Sequence, residues 1–106
     1  MLTVQNDSQL VDRMVVFFKQ LGYSTRVRIL CYLIQEPRKV SDIADHLNMT
    51  LSSVSHQLRV LREAGLVSGQ RQGKTITYQI KDEHVATIIQ NTLDHLAHSQ
   101  GDAYDL

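Results

Sequence analysis

Cysteine, proline and tryptophan are scarce in these 106 residues: there is one Cys, one Pro and no Trp. A single thiol, Cys31, forms no internal disulfide, which fits a reducing compartment and excludes the disulfide-stapled secreted scaffolds. Long apolar runs are missing too. None approaches the roughly 20 residues a bilayer span needs, and MLTVQNDSQ has neither the basic start nor the apolar middle of a signal peptide. A cytoplasmic protein with no membrane partner is expected. Repeats and low-complexity segments are also lacking. With 42% hydrophobic and 21% charged residues, one folded domain over residues 1–106 is expected, with a flexible tail over 99–106. So short a chain buries only a modest core, and a dimer is expected on size alone.

An excess of one charge is absent as well, since eleven basic residues balance eleven acidic ones. The balance conceals a segregation. Residues 26–81 carry nine Lys or Arg against four acids, Glu36, Asp42, Asp45 and Glu63. Residues 82–106 carry five acids and no Lys or Arg. A basic middle joined to an acidic end points to two surfaces with different partners.

Apolar spacing of three and four marks a first helix over SQLVDRMVVFFKQL, with Leu10, Met14, Phe17, Phe18 and Leu21 on its stripe. A second covers STRVRILCYLIQE, with Ser24 as its N-cap, Val27, Leu30, Cys31 and Ile34 inward, and Pro37 beyond its end. VSDIADHL is a short third helix, the connector NMT follows, and TLSSVSHQLRVLREAGL is a fourth, capped by Thr50 or Ser52 and closed at Gly65. The period then changes. LVSGQR and KTITYQI read as two strands around a turn at Gln72-Gly73, and DEHVATIIQNTLDHLAHSQ is a last helix. The fold class is therefore mainly α with a β-hairpin wing: a winged helix-turn-helix in the order of four helices, two strands and a helix. The apolar residues of the first and last helices exceed what one small core absorbs, so these two helices are expected to build the homodimer interface.

The polar face of the fourth helix carries Ser52, Ser53, Ser55, His56, Gln57 and Arg59. Serine is a mediocre helix former, so a generic solvated face would carry Glu and Lys instead. Donors and acceptors of this kind suit base edges and phosphates in a major groove. Arg62 extends the face, and Arg71 and Lys74 flank the hairpin tip, where a basic point meets a phosphate backbone or minor groove. Double-stranded DNA is favoured over RNA because no aromatic platform for single-stranded bases is visible.

Asp82, His84, His95 and His98 flank the apolar stripe of the last helix. His95 and His98, at i and i+3, share a face, and Asp82 at the N-cap can turn toward His84. Along one helix, however, His84 and His95 stand about 16 Å apart. Two antiparallel copies across a twofold axis near Gln90 would bring His95 and His98 of one chain to Asp82 and His84 of the other, at two equivalent sites. Three imidazoles and a carboxylate form a closed tetrahedral set suited to Zn2+ or Co2+. Solvated histidines at an exposed helix end are the alternative. A zinc hydrolase built on the same cluster is another, although four protein ligands leave no position for water. A DNA-binding winged helix whose His and Asp hold no metal is the third.

From Phe17 to His98 the chain resembles the ArsR/SmtB family of metal-responsive repressors. FKQLGYSTRVRILCYL resembles that family's first two helices, LSSVSHQLRVLREAGLV its recognition helix and RQGKTITYQI its wing. The resemblance implies a non-enzymatic homodimeric repressor that binds a palindromic operator and takes no small-molecule substrate. D-x-H followed by H-x-x-H on the last helix is the pattern of the family's zinc sensors, filled here by Asp82, His84, His95 and His98. It implies metal-induced release of the operator, and a hydrogen bond from His95 to the backbone carbonyl of Gly65 that carries the signal. Arsenic and cadmium sensing in the family use clustered cysteines, which RKVSDIADHL lacks. Nickel sensing recruits extra N-terminal ligands, and MLTVQND has no His, so zinc is favoured. Cys31 is expected to be a packing residue, and His46 receives no role.

Overall fold

The computed structural model describes the backbone of residues 7–103 and the side chains of residues 7–98. Helix α1 (Ser8–Gln20) begins where the Asp7 carboxylate accepts from the Leu10 N–H at 2.9 Å. Helix α2 (Ser24–Leu33) departs from expectation at both ends. Tyr23 holds its N-cap position without a side-chain bond, while the Ser24 hydroxyl instead accepts from Arg28 Nε at 3.2 Å. Its C-terminus falls at Leu33 and not at Glu36, because Pro37 biases the preceding residue toward extended backbone. Its inward face also differs: Ile29, Leu30 and Leu33 are buried, Val27 is exposed, and Cys31 and Ile34 are half-buried. The apolar residues of STRVRILCYLI occupy adjacent faces, so spacing alone does not choose between them.

Past Pro37 the chain is extended as β1 (Arg38–Lys39), a strand the sequence does not announce, since two residues carry no period. Helix α3 (Val40–Leu47) closes at Asn48, whose φ of 55° is left-handed. Two bonds complete that closure, Asn48 N–H to Asp45 O at 3.3 Å and Met49 N–H to Ala44 O at 2.9 Å. They turn the connector sharply into α4 (Leu51–Glu63), capped by Thr50 Oγ1, which accepts from the Ser53 N–H at 3.1 Å. Gly65, at φ +77°, ends α4 in the same way, with Leu66 N–H bonded to Leu61 O at 2.9 Å.

Strands β2 (Val67–Gln72) and β3 (Thr75–Ile80) form the hairpin, and β1 lies on its other side in an antiparallel sheet of order β1-β3-β2. The wing is thus three-stranded, with Arg38 opposite Tyr78 and Gln72 opposite Thr75. Its turn is Gly73-Lys74, one residue beyond the expected position. Among the loop residues only Gly73 has a positive φ, +66°, at the first of the two positions, as a type II′ turn requires.

Helix α5 (Glu83–Ala103) runs into the segment expected as a tail, and residues 104–106 lie outside the described residues. None of the helices in the described residues is long and apolar enough to cross a membrane.

The core gathers Ile29, Leu30 and Leu33 of α2, Ile43 and Ala44 of α3, and Val54, Leu58 and Leu61 of α4 around Leu66, Val67 and Tyr78. Among the described side chains helix α5 adds Val85 and Ile89. Helix α1 has no buried residue and leaves Met14, Val15, Val16 and Phe18 exposed; Ile88, Leu93 and Leu96 are exposed on α5. A stack joins α2, β1 and α3: the rings of Tyr32 and His46 lie 3.8 Å apart and 3° from parallel, and the Arg38 guanidinium sits 4.0 Å from the Tyr32 centroid. His46 therefore has a packing role that the sequence does not disclose.

Candidate nucleic-acid interface and metal-ligating pairs

Burial of Val54, Leu58 and Leu61 fixes how α4 is rotated. At 100° per residue the opposite side carries Ser52, His56 and Arg59, all exposed, flanked by exposed Ser53 and Ser55. A groove opens between this side and the wing, with Ile76 and Tyr78 on the wing's wall. The Nδ1 of His56 lies 3.2 Å from Arg59 Nη2. Because guanidinium only donates, Nδ1 can take part in this contact only as the acceptor.

Gln57 is placed differently from the other five. It is half-buried on the flank of α4 that faces α2, and its Oε1 accepts from Arg26 Nε at 2.9 Å. Arg26 also donates to Gln20 Oε1 and lies over the Tyr23 ring at 4.1 Å. The sequence gives no sign of this arrangement, because Arg26 and Gln57 are separated by 31 positions.

At the wing tip Arg71 and Lys74 are exposed, and neither forms an ion pair among the described residues. Arg71 on β2 and Lys74 in the turn are two unneutralised cations, the form in which charge attracts a phosphate backbone.

Asp82 caps α5 as expected, its Oδ1 accepting from the Val85 N–H at 3.0 Å. The same oxygen lies 3.7 Å from His84 Nδ1, so the first pair is assembled within one chain. Oδ2 of Asp82 makes no hydrogen bond among the described residues. His95 and His98 are exposed near the far end of the described side chains. Among the described residues no group of three or more His, Cys, Asp or Glu comes together in one chain. Asp82, His84, His95 and His98 are therefore not brought together within one chain among the described residues. Likewise, among the described residues no hydrogen bond joins His95 to Gly65. Burial pushes the Cys31 thiol up from its ordinary value, which disfavours the thiolate a metal or electrophile would need.

Residues 23–68, which span α2 to the start of the wing, match the model of the family described as bacterial regulatory protein, arsR family. The HTH-type transcriptional regulator NmtR of Mycobacterium tuberculosis is 40% identical over 92 residues, covering 87% of this chain and 77% of its own. A transcriptional repressor SmtB homolog of Synechocystis is 36% identical, covering 83% and 67%. The solution structure of apo-NmtR superposes with a TM-score of 0.76 at 40% identity, over 87% of this chain and 77% of that one. A homodimeric winged helix-turn-helix DNA-binding domain of Mycobacterium bovis does so with a TM-score of 0.78 at 33% identity, over 92% and 93%.

Proposed function

The chain belongs to the arsR family of bacterial regulatory proteins, and from that premise we propose that it represses transcription as a homodimer on a palindromic operator and leaves it when Zn2+ or Co2+ binds. The genes freed would be those of metal efflux or resistance. The protein is not an enzyme: the family and these relatives are regulators, which sets the hydrolase aside.

The observation that carries the metal assignment is the arrangement of α5. Asp82 and His84 stand together at its start, His95 and His98 lie about three turns further on, and along the same stretch Ile88, Leu93 and Leu96 are left exposed. An apolar stripe that its own chain leaves uncovered, framed by two incomplete donor pairs, is complemented by an antiparallel copy of itself. Asp82, His84, His95 and His98 would then hold the cation, which supplies bonds linking the two chains. Those bonds hold the α5 helices in one mutual arrangement, and α4 is carried with them. His95 would orient its ring by donating its second N–H to the backbone carbonyl of Gly65, next to the end of α4.

On the DNA side, Ser52, Ser53, Ser55, His56, Gln57 and Arg59 would enter the major groove while Arg71 and Lys74 meet the backbone beyond it. Metal and operator then favour different arrangements of one dimer, so each weakens the other's binding by the same factor. Titrating Zn2+, Co2+ and Ni2+ into the operator-bound protein tests this. Release at stoichiometric Zn2+ or Co2+ is expected. Indifference to every metal would leave a repressor with no metal inducer, and release by Ni2+ alone would overturn the choice of metal.

A further inference from the structure

We infer that Arg26 is a positioning residue for DNA recognition: it holds the Gln57 amide oxygen, so that Gln57 meets DNA as a donor only. This rests on the assignment of α4 as the operator-reading helix. Glutamine ordinarily has two options toward a base pair, because its amide carries both an acceptor and a donor. With both it pairs bidentately with adenine, donating to N7 and accepting from N6. Arginine has five N–H donors and no acceptor, so the Gln57 amide can face Arg26 only through Oε1. At 2.9 Å that oxygen is engaged by α2. The two N–H groups on Nε2 make no hydrogen bond among the described residues, and Gln57 lines the groove alongside Ser53 and His56. What remains for DNA is a pair of donors, whose partner is an acceptor: guanine N7 or O6, thymine O4, or a phosphate oxygen.

Arg26 is itself held on two further sides. Its second nitrogen donates to Gln20 at the last turn of α1, and its guanidinium carbon lies over the Tyr23 ring. The guanidinium is therefore a fixed fork and not a mobile surface charge, and the amide it holds is equally fixed. A group set in place before DNA arrives loses little freedom on binding.

A double-mutant cycle tests this. Arg26→Met, Gln57→Met and the double variant are titrated with operator and with random-sequence DNA. Each single change should weaken operator binding about tenfold, the scale of one charge-assisted hydrogen bond. The double variant should be no weaker than the weaker single one, because both changes remove the same donor placement. If the partner is a base, affinity for random DNA holds and the ratio falls; if it is a phosphate, both affinities fall together. Additive losses would mean that Arg26 acts independently of Gln57, and they overturn the inference, as does unchanged binding by Arg26→Met where Gln57→Met is impaired. Unchanged binding by Gln57→Met instead removes Gln57 from the reading face, a separate failure. Should Arg26→Met not fold, Arg26→Lys replaces it: a point donor reaches Gln57 or Gln20 but not both. It should give a smaller loss that disappears in the Gln57→Met background.

Discussion

Asp82 caps the start of α5 and His95 lies about three turns further along it, and the two differ in what their removal takes away. Asp82 is a candidate ligand and also the N-cap of α5. Asp82→Ala loses both roles and should lower the thermal midpoint through a cap contribution of about 1 kcal/mol. Asp82→Asn keeps the cap and loses only the charge. It should melt like the parent, bind Zn2+ more weakly, and still release the operator once saturated. His95→Asn should bind operator normally without metal and fail to release it even when loaded through Asp82, His84 and His98. Metal occupancy and operator affinity measured in the same samples decide this. Equal loss of response in Asp82→Asn and His95→Asn at full occupancy would remove the route through Gly65. Local features at this scale were legible: the caps at Thr50 and Asp82 and the turn at Gly65 follow from neighbours within four residues. The Arg26–Gln57 bond and the Tyr32–His46 stack were not, because each joins residues distant in sequence.

The wing shows where element-level patterns run out. Alternation placed both hairpin strands, but β1 is too short to alternate and is recognisable only by its partners on β3. Gly69 has a reason of the same long-range kind: a Cβ there would lie 2.9 Å from the ring of Tyr78, its cross-strand partner, which is buried against the core. Nothing within VSGQRQ declares that need. Charge at the tip is simpler to reason about. Arg71→Ala and Lys74→Ala should each weaken operator and random DNA alike and reduce the slope of log affinity against log salt by about 1, since each removes a phosphate contact. Ser55→Ala and His56→Ala, on the groove face of α4, should instead change the preferred sequence and leave that slope in place. Matching behaviour of the two pairs in competition with random DNA would mean that the wing and α4 do not divide the work.

For the whole molecule, the amount of apolar surface left outside is the decisive quantity. The radius of gyration is 15.9 Å, against about 13 Å for a compact chain of this length. The excess fits two helices that lie against the core without being enclosed by it: among the described side chains α1 buries none, and α5 contributes Val85 and Ile89. Periodicity named these helices as the interface, and Met14, Ile88 and Leu96 among their apolar residues are exposed, while the two adjacent phenylalanines of α1 part company. Phe17 is half-buried against the core while Phe18 is 54% exposed, and Val15 and Val16, off the expected stripe, are exposed as well. A helix with apolar residues on several sides does not reveal from spacing which side its own chain will take. Phe18→Glu places a charge in that uncovered patch without disturbing a buried residue. The parent should sediment as a dimer at micromolar concentration and Phe18→Glu as a folded monomer. That monomer should lose palindrome binding by far more than tenfold, because one recognition helix replaces two, while keeping its weak affinity for a single half-site. It should also bind Zn2+ only weakly, since Asp82 with His84 and His95 with His98 would then act as separate pairs. A monomeric parent, or a monomeric Phe18→Glu that retains tight Zn2+ binding, would show that the four ligands do not come from two chains.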